Sequence, residues 1–264
     1  TKNTLYNVNL TTGKATNIGA FPQKIIDLAI PTEAVAYAVD NSNALQIFNP
    51  NNPMPVSKPI TGLQAGENIL GVDFRPLNGQ LYALGSSSRI YTLNLGTGAA
   101  TAVGAQFPTL LNGTDFGFDF NPTVDRIRVV SNTGQNLRLN PIDGTISATD
   151  GMINPGTPTL SGAAYTNSFA GATTTELFVV DHATDKLFLQ SPPNNGTLVE
   201  RGSLGIDISN SNGFDIGSTS NKAYLLATVS GVTKIYLVNT TNGSTTAVST
   251  FPNTTRGFSV GLGF

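Results

Sequence analysis

The chain has 264 residues and a formal net charge of −2, with 11% charged residues and no cysteine. The lack of cysteine excludes disulfides, thiolate nucleophiles and cysteine-ligated metals. The absence of a Lys/Arg block argues against nucleic-acid binding. No apolar stretch reaches the roughly 18 residues needed to cross a membrane, and residues 1–30 lack a signal-peptide pattern. With so little charge, Asn, Thr, Ser and Gly must supply the polar surface, a composition that favours a bacterial extracellular protein.

A strand-like phrase recurs along the chain, usually beginning with glycine and centred on an acidic residue. Its copies are IIDL at 25–28, GVDF at 71–74, GFDF at 117–120, GAAY at 162–165 and GFDI at 213–216, and a degraded sixth copy, GFSV, lies at 257–260. The central residues are 44 to 51 residues apart. A period of about 40–50 residues with several strands in each repeat is typical of a β-propeller.

Each repeat is expected to form a blade of four short strands. Segments 5–10 and 15–18 match the third and fourth strands of a blade. The clearest repeat predicts strands at 116–120, 126–130, 136–139 and 145–149, from their period-two alternation and flanking turns. An Asn four residues before a Gly marks the turn into the fourth strand, as in Asn94/Gly98 and Asn140/Gly144. Such a Gly supplies the positive φ of a tight hairpin.

The number of repeats predicts an all-β fold, a six-bladed β-propeller whose closing blade is shared by the N- and C-terminal segments. The first strand of that blade is expected at 258–264, and the blade is about one strand short. A single domain is expected over 1–264, with blades at approximately 256–264 plus 1–20, 24–62, 68–104, 115–150, 160–204 and 211–250. The abrupt start indicates a domain excised from a longer extracellular protein.

The acidic centres of the phrase are the first candidate site residues. Asp27, Asp73, Asp119 and Asp215 occupy equivalent positions, so the symmetry predicts that they line the central channel at one height. Acceptance of main-chain N–H groups is the favoured role, because a structural bond recurs in every repeat. A Ca²⁺ site is an alternative, since calcium takes several oxygen ligands, and catalysis is a weaker one.

Arginines form a second set of candidates. Arg75, Arg126 and Arg128 lie near acidic strands and could join blades as salt bridges or contact the acidic groups of a glycan. No catalytic residue is assigned. The single histidine, His182, excludes a multi-histidine metal site, and no nucleophile elbow occurs.

Several segments together resemble a bacterial secreted β-propeller family that is catalogued as a domain of unknown function. They are residues 71–76, 79–85, 112–114, 117–131, 134–141 and 164–168, and the resemblance covers roughly residues 33–264. Within that family the chain is most similar to the C-terminal propellers of cyanobacterial extracellular water-stress proteins, which accumulate in the polysaccharide sheath of desiccation-tolerant colonies. The resemblance implies a secreted matrix protein with glycan contacts, and it transfers no catalytic residues.

The resulting hypothesis is a non-catalytic extracellular matrix domain, structural or polysaccharide-binding, linked to desiccation tolerance. The expected partners are extracellular polysaccharide and other matrix proteins, with no nucleic acid and no membrane span, and calcium is the only cofactor considered. The alternative is a galactosidase-like glycosidase with its site at one mouth of the channel, and a protein–protein scaffold is a third reading. Glycoside hydrolysis needs two positioned carboxylates, and no such pair is evident in the sequence.

Overall fold

The computed structural model describes residues 3–8, 12–22, 24–25 and 34–264. The chain divides into two compact units, Thr1–Glu33 and Ala34–Phe264. In the first unit, β1 (Asn3–Val8) and β2 (Ala15–Phe21) pair as an antiparallel hairpin. Almost every side chain of β2 is exposed, including that of Ile18.

The second unit consists of twenty strands and one short 3₁₀-helix. Its first strands are β3 (Ala36–Asp40), β4 (Ala44–Asn49), β5 (Asn52–Pro59), β6 (Ile69–Phe74), β7 (Leu81–Gly85), β8 (Arg89–Leu93) and β9 (Ala100–Val103). There follow β10 (Phe116–Asn121), β11 (Arg126–Ser131), β12 (Asn136–Leu139), β13 (Ile146–Thr149), β14 (Leu160–Tyr165), β15 (Leu177–Asp181), β16 (Lys186–Gln190), the 3₁₀-helix Pro193–Asn195 and β17 (Leu198–Ser203). The last strands are β18 (Asn212–Ile216), β19 (Ala223–Val229), β20 (Val232–Val238), β21 (Thr245–Thr250) and β22 (Thr255–Val260). Over the described ranges, no helix is both long and apolar enough to cross a membrane.

These strands form five antiparallel sheets of four strands, which are the blades of a propeller. Blade 1 is β6–β9, blade 2 is β10–β13, blade 3 is β14–β17, blade 4 is β18–β21, and blade 5 is β22 followed by β3, β4 and β5. The inner strands β6, β10, β14, β18 and β22 contact one another in that order, and β22 contacts β6. The ring is therefore closed within residues 34–264.

Local sequence explains the strands of each blade. In blade 2 the predicted strands at 116–120, 126–130, 136–139 and 145–149 are confirmed to within one residue. The predicted Asn–Gly turns are also confirmed: Gly98 donates its N–H to the Asn94 carbonyl at 2.8 Å and has φ of 77°. The Asn94 side-chain oxygen accepts the N–H groups of Gly96 and Thr97, which fixes the loop before the outer strand.

Hydrophobic side chains fill each junction between neighbouring blades. Five clusters of buried apolar residues occur in the described part of the chain, and each combines residues of two adjacent blades. Between blades 1 and 2, for example, Tyr82 packs edge-on against Phe120 with ring centroids 5.1 Å apart. Between blades 4 and 5, the rings of Phe48 and Phe251 pack with their centroids 4.5 Å apart. The core is thus a ring of interfaces, and every blade is stabilised on both faces.

A ring of glycines lets the five inner strands approach closely. The glycine that opens each phrase packs against the next inner strand: a Cβ at Gly71 would lie 2.7 Å from the Cβ of Phe118, and a Cβ at Gly213 would lie 2.6 Å from that of Phe258. The same relation holds around the ring. The ring glycines are Gly71, Gly117, Gly162, Gly213 and Gly257. Any larger residue at these positions would force neighbouring backbones apart.

The prediction of six blades with a closing blade shared by the two chain ends is wrong. The phrase GFSV does not begin a sixth blade; β22 pairs with β3, with Phe258 opposite Ala38 and Val260 opposite Ala36, and supplies the inner strand of blade 5. Residues 5–8 and 15–18 lie instead in the hairpin of the first unit, and the rest of the predicted segment 5–10 lies outside the described residues. The five copies that form the ring all begin with glycine, whereas the copy at 25–28 begins with Ile25. Close inner-strand contact demands the glycine, so that first copy lacks the feature that marks an inner strand.

Candidate binding site at the mouth of the propeller

The acidic centres of the phrase meet at the axis of the propeller. Asp73, Asp119 and Asp215 are all buried, and one carboxylate oxygen from each lies within 4.8 Å of the others. Asp27, the fourth candidate, lies outside the described residues. The remaining positions of the ring are Ala164 and Ser259. Because strand side chains alternate, the phrase places its third residue towards the axis in every blade.

Each carboxylate links its own blade to the next one. Asp73 Oδ2 accepts the N–H of Phe120 at 2.8 Å, and Asp119 Oδ1 accepts that of Tyr165 at 2.9 Å. Asp215 Oδ2 accepts the N–H of Val260 at 2.6 Å. In all three cases the donor follows the central position of the neighbouring inner strand. The carboxylates therefore satisfy buried main-chain groups that the strand pairing leaves free.

The bonding changes where the ring lacks a carboxylate. In blade 3 the equivalent position is Ala164, whose side chain cannot accept the N–H of Ile216 in the next blade. The N–H of Ile216 instead donates to Oδ1 of Asp215, the residue before it, at 2.6 Å. At the other gap, the hydroxyl of Ser259 lies 2.9 Å from Asp73 Oδ1 and 3.1 Å from Asp215 Oδ2. Three carboxylates and one hydroxyl thus form a connected network inside the ring.

Burial and mutual repulsion favour the protonated forms of this cluster. Desolvation raises the pKa of Asp73 and of Asp119 well above 3.8, and the nearby carboxylates raise both further. Desolvation also raises the pKa of Asp215 to about 7, although the N–H groups of Val260 and Ile216 oppose the rise. Carboxylates this close cannot all ionise at low cost. The cluster therefore retains protons near neutral pH.

The same cluster is the candidate calcium site of the sequence. Calcium takes six to eight oxygen ligands, whereas the described cluster offers three carboxylates and a hydroxyl. One oxygen of each carboxylate already accepts a main-chain N–H. This arrangement is built for hydrogen bonding between blades, and the calcium hypothesis stays a prediction.

The candidate arginines are engaged in bonds within the protein. Arg75 in blade 1 pairs with Asp125 in blade 2, with Nε 2.8 Å from Oδ1. Arg128 is 1% exposed and donates to Asp150 at 2.6 Å. It also donates to Asn194 of blade 3 at 2.8 Å. These two side chains join blades.

The third candidate, Arg126, is partly buried and donates to the main-chain oxygen of Asp125 at 2.8 Å. It follows the turn between β10 and β11, at the end of the propeller where the inner strands finish. Arg75, which follows β6, lies at the same end, away from the opposite mouth, where the inner strands begin.

A polar cleft of about 160 Å³ lies at this opposite mouth. Every blade contributes to it through the residue just before its ring glycine. These residues are Leu70, Phe116, Ser161, Asn212 and Arg256. The loops before β10 and β18 add Thr114, Asp115, Asn210 and Ser211. In contrast to the repeated glycines and carboxylates, the five residues at the base of the cleft all differ.

The loops around the cleft are held together by amide and carboxylate groups. Asp115 Oδ1 accepts a hydrogen bond from Asn210 at 2.9 Å, which connects the loops of blades 2 and 4. Its Oδ2 accepts hydrogen bonds from Thr114 and Asn132. Asn212, 4% exposed, donates to the hydroxyl of Ser161 at 2.9 Å. The walls are consequently fixed by bonds among the lining residues themselves.

Two buried polar atoms of the lining residues have no partner. They are Oδ1 of Asn212 and Nε of Arg256. The Arg256 Nη2 group donates to the main-chain oxygens of Asp40 and Asn41 at 3.3 and 3.1 Å. Desolvation lowers the pKa of Arg256, and the charge of Asp40 partly opposes this. Buried polar atoms are normally satisfied. The described residues contain five other unpaired atoms of this kind, but the cleft combines an unpaired acceptor with an unpaired donor, which makes it the candidate binding site.

The cleft does not continue down to the carboxylates. Below it the channel is lined by the ring glycines and the residues that follow them, and it has a volume of about 10 Å³. That is about the size of one water molecule. A ligand in the cleft is separated from Asp73, Asp119 and Asp215, which lie one layer deeper on the same strands.

Sequence reasoning missed the cleft because it concentrated on what the repeats share. The signal lies one residue before each ring glycine, where Leu70, Phe116, Ser161, Asn212 and Arg256 break the symmetry. A binding site in a symmetric ring needs such a departure from the repeat, since identical blades would present identical groups.

Comparison with known proteins agrees with the fold. The chain is similar to a chain in the crystal structure of the nidogen/laminin complex, with 14% identity, a TM-score of 0.53, and coverage of 87% of this chain and 98% of that chain. It is also similar to TolB from Acinetobacter baumannii, with 13% identity and a TM-score of 0.49, and it covers 54% of the TolB chain and 84% of itself. At 14% identity the similarity to the nidogen/laminin chain concerns the fold alone. No curated protein sequence matches the chain.

A family model described as Domain of unknown function (DUF4394) matches residues 44–260. The match begins in β4 and ends with the last residue of β22, so it includes the inner strands of all five blades. The chain therefore belongs to the DUF4394 family.

Proposed function

We propose that this protein is a non-catalytic, extracellular propeller that binds polysaccharide in the cleft at the mouth of its ring. The observation that carries the proposal is the unpaired Asn212 acceptor and Arg256 donor in a cleft of mixed lining. The rest of that lining consists of hydroxyl and amide groups, one carboxylate and two apolar side chains, namely Thr114, Ser161, Ser211, Asn210, Asp115, Leu70 and Phe116. Such groups can exchange hydrogen bonds with sugar hydroxyls and water at a low cost in charge desolvation.

The rigidity of the mouth supports binding of this kind. Each lining residue at the base stands next to a close-packed ring glycine, and the loop residues Asp115 and Asn210 are bonded to each other. A preformed site loses little conformational entropy when a ligand binds. A flexible, hydroxyl-rich chain would therefore find its partners already in position.

The proposal includes a location in a hydrated polysaccharide sheath and a link to desiccation tolerance. Its basis is the composition, with 11% charged residues and no cysteine, together with the resemblance to propellers of cyanobacterial water-stress proteins. Neutral polar surfaces hydrogen-bond both water and sugars, so a propeller of this composition can remain attached to glycan as water is lost. Other matrix proteins are further candidate partners.

A glycosidase is the alternative function, and the geometry supports it less well. Retaining and inverting mechanisms each use two carboxyl groups that flank the scissile bond. Among the residues that line the cleft, Asp115 is the one carboxylate, and its two oxygens accept three hydrogen bonds. The buried carboxylates lie under the glycine ring. A binding role needs no second carboxylate.

Titration calorimetry with neutral and acidic oligosaccharides tests the proposed function. We expect binding by the wild-type protein and a loss of affinity in Asn212→Leu, which removes the unpaired acceptor. Thr246→Ala, an exposed change on the outer strand β21, serves as the control and should bind normally. The melting temperature of each variant separates lost binding from lost folding. If no oligosaccharide binds, or if Asn212→Leu folds and binds as the wild type does, the proposal is wrong. Release of reducing sugar would favour the glycosidase.

A further inference from the structure

We propose that the cleft selects an anionic sugar unit, with Arg256 holding its carboxylate or sulfate group. This inference deepens the proposed function, because it names the class of saccharide that the same cleft takes. The base of the cleft contains a single cationic side chain, Arg256. Its surroundings within the described part of the protein leave that charge without a carboxylate partner.

The guanidinium of Arg256 is bonded to neutral groups. Its Nη2 contacts the main-chain oxygens of Asp40 and Asn41 and, at 3.4 Å, the side-chain oxygen of Asn43. The described residues contain four ion pairs, and Arg256 belongs to none of them. By comparison, Arg128 reaches Asp150 at 2.6 Å. Arg89, Arg126 and Arg201 are likewise partly buried and absent from these ion pairs. Arg256 differs from them in lining the cleft.

The carboxylate of Asp40, the residue whose charge acts on Arg256, is engaged in other hydrogen bonds. Asp40 Oδ1 accepts hydrogen bonds from the main-chain N–H groups of Ser42 and Ala44, and Oδ2 accepts one from Gln46 at 2.8 Å. These bonds hold the carboxylate in the turn between β3 and β4. The negative charge of Asp40 favours the charged form of Arg256 through space, but the two side chains do not form an ion pair. The Nε of Arg256 is buried and has no hydrogen-bond partner among the described residues, so an anion that reaches it would satisfy a donor that the fold leaves unpaired.

An anion at this position would be held in a dry and directional setting. A guanidinium binds carboxylate or sulfate through parallel N–H donors, and removing the charge from water without a partner is costly. A ligand that supplies the counter-charge relieves that cost. A neutral sugar cannot do so.

The other walls of the cleft fit the remainder of a sugar. Asn212 Oδ1 is an unpaired acceptor for a hydroxyl group, and Ser161 and Ser211 add hydroxyl groups. Asp115 lies in the wall and repels an anion, which orients the charged end of the ligand towards Arg256. A volume of about 160 Å³ is well below the roughly 300–1,000 Å³ of pockets for drug-sized ligands. The cleft therefore takes one sugar unit or a chain end.

Calorimetry and arginine-detected NMR on the purified protein test the inference. The probes are galacturonate, galactose 6-sulfate and galactose, so the two sources of negative charge are compared with a neutral sugar of the same ring. We expect at least one anionic sugar to bind about tenfold or more tightly than galactose, the minimum for a charge-assisted hydrogen bond. Added salt should weaken it. The Nε–H signal of Arg256 should shift with the anionic sugar and not with galactose.

Variants identify the residue responsible. Arg256→Gln should reduce the affinity for the anionic sugar to that for galactose, and Arg256→Lys should retain part of the preference. Lys222→Gln is the matched control, since it removes one exposed positive charge at the opposite end of the propeller, before β19, and should change nothing. The NMR measurement on the wild type needs no variant, so a folding defect in Arg256→Gln leaves the test intact.

The outcomes separate this inference from the proposed function. If galactose binds as tightly as the anionic sugars, and the Arg256 signal is unmoved, the charge selection is wrong while polysaccharide binding stands. If anionic sugars bind through Arg256 and no oligosaccharide does, the selection stands and the polysaccharide function fails. If acetate, sulfate or a peptide C-terminus binds as tightly as galacturonate, the cleft is a general anion site and the inference is overturned.

Discussion

The buried carboxylates predict that the free energy of unfolding falls as the pH rises from about 4 to 7. The pKa of Asp215 is about 7 in the folded protein, against 3.8 as its ordinary value. Between these values the folded state binds more protons than the unfolded state, so folding loses stability with increasing pH. At roughly 1.4 kcal/mol per pKa unit, this one group accounts for about 4 kcal/mol. Asp73 and Asp119 act in the same direction.

The substitution Asp119→Asn should remove part of this loss. Asparagine is uncharged, has the shape of the protonated aspartic acid, and can still accept the N–H of Tyr165. We expect the stability at pH 4 to remain close to that of the wild type and the stability at pH 8 to increase, by about 1–3 kcal/mol as an order of magnitude. A substitution that stabilises at high pH and not at low pH is a specific signature of relieved carboxylate repulsion.

Urea unfolding followed by circular dichroism at pH 4, 5.5, 7 and 8 measures the effect. Asp143→Asn is the control, because hydrogen bonds from Thr145 lower the pKa of that exposed carboxylate, and its loss should give no gain at pH 8. Burial raises the pKa of Asp150, but hydrogen bonds from Arg138 and Arg128 outweigh this and lower the pKa overall. The stability that Asp150 contributes is therefore lost below about pH 4, outside this window. A wild-type stability that is constant or rises from pH 4 to 8 would refute the reasoning, as would an Asp119→Asn variant without any gain at pH 8.

The same samples test the calcium hypothesis. Calcium at millimolar concentration should raise the melting temperature of the wild type at pH 8, and that of Asp119→Asn much less, if the three carboxylates bind the ion. The hydrogen-bonded arrangement predicts instead that the melting temperature of both proteins is unchanged, and we expect this second result. A rise confined to the wild type would contradict it.

Three further substitutions probe the ring. Gly213→Ala places a methyl group against the next inner strand and should destabilise by about 1–3 kcal/mol or more, whereas Gly19→Ala, with open space around it, should change calorimetric stability little. Ala164→Asp adds a fourth carboxylate to the axis and should destabilise at pH 8 much more than at pH 4 in urea unfolding; equal losses would contradict the repulsion. Arg128→Met breaks a buried ion pair and should cost about 3–5 kcal/mol, whereas Lys186→Met, which breaks an exposed pair, should cost less than about 1 kcal/mol.

The repeat made most of the fold predictable from sequence. Period-two alternation and Asn–Gly turns located the strands of blade 2, and the shared central position of the phrase led to Asp73, Asp119 and Asp215, which meet at the axis. Such features depend on residues close in sequence, or on symmetry, which converts local similarity into spatial equivalence. They need no knowledge of long-range pairing.

The blade count could not be obtained in the same way. Closure depends on which end of the chain supplies an inner strand, and β22 pairs with β3 across more than 200 residues. The copies at 25–28 and 257–260 both resemble an inner strand when only the apolar and acidic positions are compared. Only the copy at 257–260 begins with glycine, and the need for glycine arises from the close backbone of a neighbouring blade, which is not visible in the local sequence.

The arginines show a similar limit. Charge and proximity in sequence gave Arg128 as a candidate glycan contact, yet its partners Asp150 and Asn194 come from distant positions and bury it. Arg256 directly precedes a copy of the phrase, but no acidic or motif residue beside it in sequence predicts a binding role. Only the fold places it in a cleft without a counter-charge. Whether an arginine is structural or free to bind is decided by those distant contacts.

Along each inner strand, the residues that close the ring and the residue that lines the cleft occupy neighbouring positions. Ring glycines and axial carboxylates face a neighbouring blade, so the geometry of closure fixes what each can be. One residue earlier, no single residue type is required, although Phe116, Ser161 and Asn212 are buried at the base of the cleft. Leu70, Phe116, Ser161, Asn212 and Arg256 can therefore differ without opening the ring. For this propeller, binding specificity should follow the positions that break the repeat, and stability should follow those that keep it.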